Sequence, residues 1–191
     1  MLDPLRIAIV LLTVSAGIVH ADDTESARFP RLSVETDPSL FALDGYGFSV
    51  GASAEPHWHI QVTQFASNLY KFATPAGWDA RMRHGTFFWT RYYVRPDNEG
   101  WFLGAALAAI DWRYTRSDTP GRAAEQDQFA VMPFAGYRWF PTTTGFYVLP
   151  WAGVALPFNK VGDATVGTMT YESKFPVFPL AAVHLGWEFG R

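Results

Sequence analysis

His84, Ser117 and Asp118 supply an imidazole, a hydroxyl and a carboxylate. Nucleophilic acyl transfer needs these three groups within reach of one another. They fall in stretches without strand alternation, 67–85 and 115–127, and loops commonly hold such residues with no chemistry attached. His57 and His59, two apart on one face of an extended chain, join His184 and Glu188 in offering metal-ligand atom types. Polar filling of an interior is the simpler account of them, and neither a metal nor an organic cofactor is expected. A third set is ionic: Arg31, Glu35, Arg91, Arg138 and Glu188. A fourth is apolar: Met132, Phe134, Trp151, Ala155, Phe178 and Leu180. What these sets can do depends on the elements that carry them.

Those elements are strands. In GYGFSVGASA, residues 45–54, Tyr46, Phe48, Val50, Ala52 and Ala54 oppose a face of glycine and serine. In HWHIQVT, residues 57–63, Trp58, Ile60 and Val62 alternate with polar side chains. From Phe175 to Phe189 every second residue is apolar. Alternation at period two predicts strands rather than helices. Eight are expected, at 31–36, 45–54, 57–66, 86–95, 100–114, 128–140, 145–157 and 174–190. Three connections are tight, at 54–57, 95–100 and 140–145, and four are longer, at 37–44, 67–85, 115–127 and 158–173.

The chain of 191 residues has a formal net charge of −3, no cysteine, and as many aromatic as charged residues, 17% each. Soluble proteins average about 25% charged. Without a Lys/Arg cluster, nucleic-acid binding is not expected. Residues 1–21 read as a secretory signal, with Arg6, an apolar core IAIVLLTVSAGIV, and Val19 and Ala21 before the cut. One domain, 22–191, would remain. No later apolar run reaches the ~20 residues of a spanning helix.

Short and long connections alternating between an even number of antiparallel strands describe a transmembrane β-barrel. With the tight turns placed at the bottom, Trp58, Tyr92, Phe102, Trp139, Phe146, Trp187 and Phe189 are expected in a lower outward belt. Tyr46, Trp112, Tyr114, Phe129 and Phe175 are expected in an upper one. A parity that keeps charge out of lipid sends Arg31, Glu35, Arg91, Asp111, Arg113, Arg138 and Glu188 inward. A lipocalin-like soluble barrel would instead be apolar inside. The Gly/Ser face of 45–54 argues against that.

The chain thus resembles the small eight-stranded outer-membrane barrels of Gram-negative bacteria. Its closing AAVHLGWEFGR is similar to the aromatic last strand that such proteins present to the barrel assembly machinery, although Gly190 and Arg191 follow Phe189 where the aromatic usually stands last. The resemblance implies an outer-membrane location, a monomer, and outer-membrane lipids and the export and assembly machinery as partners. It carries over no active-site residues. The His-x-Ser-Asn-Ala-Gly type of motif seen in lipid A deacylases is absent from the sequence.

A barrel of this size has room for side chains or one small ligand. The ionic set is expected to plug the lower lumen. The apolar set, with Pro176, lies in the upper lumen on the last three strands. Pro133, Pro150, Pro157, Pro176 and Pro179 also fall there, and each removes a ladder donor. They suggest a side entrance among strands 128–140, 145–157 and 174–190. The alternative is that they only bend strands around a solid lumen. The leading functional expectation is a non-enzymatic barrel that binds or passes small hydrophobic molecules. An outer-leaflet lipid-modifying enzyme and a structural or adhesive barrel are the alternatives.

Overall fold

The computed structural model describes residues 30–68, 74–159, 163–171 and 177–191. The expected signal segment and the positions of Phe175 and Pro176 lie outside these residues. In chain order the elements are β1 (Arg31–Thr36), α1 (Pro38–Phe41), β2 (Tyr46–Glu55), β3 (Trp58–Ser67), β4 (Trp78–Tyr93), β5 (Gly100–Arg116), β6 (Ala123–Arg138), β7 (Phe146–Pro157), β8 (Ala164–Val166), β9 (Met169–Tyr171) and β10 (Phe178–Phe189). Eight of the strands close an antiparallel barrel, each beside its neighbour in sequence, with β10 meeting β1. The pair β8–β9 forms a separate hairpin.

The tight turns at the lower end use left-handed backbone. His57 adopts φ 75°. Its ring stacks on Tyr92 at 5.4 Å and its Nδ1 lies 2.8 Å from the Tyr93 carbonyl, contacts that offset an unfavourable conformation. Gly145, at φ 98°, also lies so close to β10 that a Cβ there would sit 2.3 Å from the Glu188 carbonyl oxygen.

Alternation decides what faces where. Arg31, Ser33 and Glu35 of β1 are buried while Leu32 and Val34 are exposed. The expected parities of β2, β6, β7 and β10 are those observed. That of β5 is reversed. Phe102, Trp112 and Tyr114 are buried inside, while Trp101 and Leu103 are exposed by about two thirds. Arg113 is exposed, and Asp111 pairs with Arg83. The physical reason is the length of the β4–β5 hairpin, whose ladder runs from Tyr93–Phe102 up to Trp78–Arg116. An outward charge is costly only within the apolar band. Asp111 and Arg113 stand above Leu103 and Leu107, near the upper tip of that hairpin. The same extension corrects two expected loops. Strand β4 begins at Trp78 rather than 86, and β5 and β6 are joined by residues 117–122 alone. The expected loop 158–173 contains the β8–β9 hairpin.

Large rings fill the lumen by packing against inward glycines. A Cβ on Gly186 would sit 2.2 Å from the Tyr147 ring, one on Gly104 2.4 Å from Phe134, and one on Gly136 2.5 Å from Phe102. The glycines of the strands therefore shape the core.

Candidate functional site

The lower lumen is an ion network. Glu188 accepts from Arg138 Nη1 at 2.8 Å and from Arg31 Nη1 at 3.3 Å. Glu35 accepts from Arg91 Nη1 and Nη2 at 2.6 and 3.0 Å, from Gln61 Nε2 at 3.0 Å and from Tyr147 Oη at 2.9 Å. His184 Nδ1 lies 2.9 Å from the same carboxylate. Trp151 Nε1, which can only donate, points at His184 Nε2 from 3.0 Å. His184 is therefore held with its proton on Nδ1, donating to Glu35.

Among the described residues, buried Arg91 pairs with Glu35, and buried Arg138 and Arg31 pair with Glu188. Aromatic faces add to the pairing of Arg138. Arg138, whose Nε and Nη2 have no hydrogen-bond partner among the described residues, lies 3.8 Å from the Tyr147 ring centre and 4.8 Å from that of Phe140. A desolvated cation over such faces gains about 2 kcal/mol. A buried charge left unpaired is far costlier, so the assembly reads as a plug held by paired charges.

Above the plug is a floor of rings. Trp89 meets Phe134 edge-on at 4.9 Å and Trp151 at 5.2 Å. Met132 and Phe134 are packed into this floor and do not border open space. Over it lies a cavity of about 340 Å³, bordered by Trp151, Ala155, Phe178 and Leu180 on one side and by Phe65, Met82, Phe87 and Ala108 on the other. Its roof includes Leu40 and Trp112. The Trp112 indole donates to Gln128 Oε1 at 2.8 Å. Ala164 and Val166 of the β8–β9 hairpin pack onto the same cluster, with Tyr171 against Trp78 and Tyr114. The cavity is at the small end of the ~300–1,000 Å³ in which proteins hold small molecules.

The other expected sites are not assembled. Ser117 N–H donates to the Gly77 carbonyl, while His84 pairs with Asp111 further down the hairpin. At ~3.3 Å per residue the two side chains are roughly 20 Å apart. Hydrogen bonds from Arg116 hold the exposed Asp118 carboxyl below its ordinary range and commit it to that partner. Of the metal-type set, His57 lies in the turn, His59 faces Ser33 at 2.8 Å, His184 faces Glu35 and Glu188 faces arginines.

No family model matches the chain, and no curated protein matches it in sequence. Solved structures do match. The crystal structure of the N-terminal β-barrel domain of Pseudomonas aeruginosa OprF is similar, with a TM-score of 0.54 over 83% of this chain and 97% of that one, at 15% identity. The fold is that of a small outer-membrane barrel. At that identity the likeness concerns architecture, and the site must be argued from its own residues.

Sequence reasoning missed half of the cavity wall. Phe87 and Trp89 share the inward parity of Arg91, but with Phe88 between them the stretch is apolar on both faces and did not mark them as lining. Ala108 was hidden by the reversed parity of β5. The partners of Glu35, namely Gln61, Tyr147 and His184, come from three strands and share no sequence signal.

Proposed function

We propose that this chain is an integral outer-membrane protein whose barrel is closed to ion flow below and holds one small apolar molecule in its upper lumen. The exposed outer surface supports the membrane part. Val34, Val50, Ile60, Leu103, Leu107 and Val183 form an outward apolar band. Trp58, Tyr92, Trp101, Trp139 and Trp187 lie outward near its lower edge, with Tyr46, Phe48 and Phe129 near its upper edge. Lipid is the solvent that suits such a surface. The observation that carries the binding part is the cavity of about 340 Å³, bounded mainly by apolar side chains above a sealed polar plug. A solid lumen would have left no such space, and a pore would have left the plug open.

The test is a retained ligand. The purified protein, extracted in mild detergent and examined by native mass spectrometry, is expected to carry an apolar adduct. Ala155→Trp, which fills the cavity from β7, should abolish it while the barrel still shows heat-modifiable migration. A parent protein that carries nothing, or an adduct unaffected by filling, would refute the binding reading. Cofractionation with soluble periplasmic protein would refute the membrane reading.

A further inference from the structure

Among the described residues, the closure seam of the barrel is incomplete in its upper half. The β1–β10 ladder ends at Thr36–Leu185. Strand β10 begins at Phe178, and from there to His184 it pairs, among the described residues, only with β7. Its other edge faces α1, which packs on both β10 and β2. Glu188 N–H donates to the Gly145 carbonyl, on the β7 side. The alternation of an antiparallel ladder then turns the backbone groups of Val183, Ala181 and Pro179 toward the gap. Pro179 has no N–H, so one donor that an open edge would strand in lipid is absent.

The cavity reaches this gap. Pro179 and Ala181 are exposed on the outer face of β10, yet both border the cavity, together with Asp37 and Ser39 at the start of α1. Outward residues can border a lumen only where the wall beside their strand is missing. The upper cavity therefore opens sideways, between β10 and α1. This is a different seam from the one that the prolines of β6 and β7 suggest.

We propose that the gap admits one acyl chain of a bilayer lipid into the cavity, an inference that deepens the proposed function and rests on it. The occupant follows from the geometry. The cavity wall is mainly apolar, and its floor is a layer of rings. The opening lies beside outward Val183, Val50 and Phe48, at the level of the apolar band. Lipid chains already stand there. A polar headgroup would stay at the rim, where Asp37 and Ser39 keep their side chains. Helix α1 is the cover. It is one turn long, capped by Asp37, and its Leu40 reaches the cavity from the gap.

The chain has no cysteine, so Ala108→Cys places a single thiol on β5, across the cavity from the gap. The full barrel, reconstituted in phosphatidylcholine vesicles, would be treated with an acyl-chain maleimide dissolved in the bilayer, or with a charged, impermeant maleimide added from water. The acyl reagent is expected to label and the charged one is not. Ala182→Phe on the inner lip of β10, or Leu40→Trp on α1, should abolish the labelling in protein that retains heat-modifiable migration. Labelling by the charged reagent alone would overturn the side route and leave the cavity reading standing. Labelling by neither would overturn both. Acyl labelling that survives both closures would show that the chain enters elsewhere.

Discussion

Glu35→Gln isolates the cost of the plug. The substitution keeps the side chain's shape and removes the charge to which Arg91 makes two bonds, at 2.6 and 3.0 Å. Arg91 is fully buried, cannot lose its proton, and has no hydrogen-bond partner for Nε among the described residues. Removing one member of a buried pair costs about 3–5 kcal/mol, because the other charge is left uncompensated. The converse change, Arg91→Met, should cost less. Glu35 keeps Gln61, Tyr147 and His184 as donors. Hydrogen bonds to a charged group are worth about 1.5–3 kcal/mol, which sets the scale for Arg91→Met. The double variant strands neither charge of the pair, so it should cost clearly less than the sum of the singles. Reversible urea unfolding in phospholipid vesicles, followed by tryptophan fluorescence at constant m-value, measures all three. If Arg91→Met proves as costly as Glu35→Gln, or the double variant equals the sum, the plug is not held by this pair.

Other expectations follow from single contacts. The β6–β7 ladder is interrupted opposite Pro133 and Pro150, whose carbonyl oxygens both point into that seam, 2.7 Å from a Cβ position on Gly153 and 2.5 Å from one on Gly136. Pro150→Ala restores a donor there, should stabilise by about 0.5–1.5 kcal/mol, and should raise amide-exchange protection along the seam. Asn159 pins the upper end of β6 through the Phe129 N–H and the Asp127 carbonyl, both at 2.8 Å. Asn159→Ala should speed exchange at Phe129 and leave the lower strands unchanged; uniform loss of protection would contradict this local role. Gly186→Val drives a side chain into the Tyr147 ring and displaces its hydroxyl from Glu35. A loss of about 1–3 kcal/mol is expected by overpacking, checked by the same urea titration.

Much of the architecture was legible because lipid is an unforgiving solvent. A strand that shows glycine and serine on one face and Tyr46, Phe48 and Val50 on the other has one stable orientation in a bilayer. The ionic set could be read for the same reason, since Arg91, Arg138 and Glu188 had no place outside. The same rule misled at β5. It treated Asp111 and Arg113 as though the bilayer extended to the end of the strand, and so put Trp112 and Tyr114 on the wrong face. Strand length above the apolar band is set by pairing with β4 and β6, which local composition does not report.

By itself the sequence determined the number of barrel strands, their antiparallel order, most of their facing, and which charges must be buried. These follow from alternation and desolvation, which act residue by residue. Only the tertiary structure decided that Glu35 gathers Arg91, Gln61, Tyr147 and His184, and that β1 stops at Thr36 while β10 runs on to Phe178. Those facts depend on where the closing strands meet in register. That register is a property of the whole ring, fixed when β10 finds β1 across the chain.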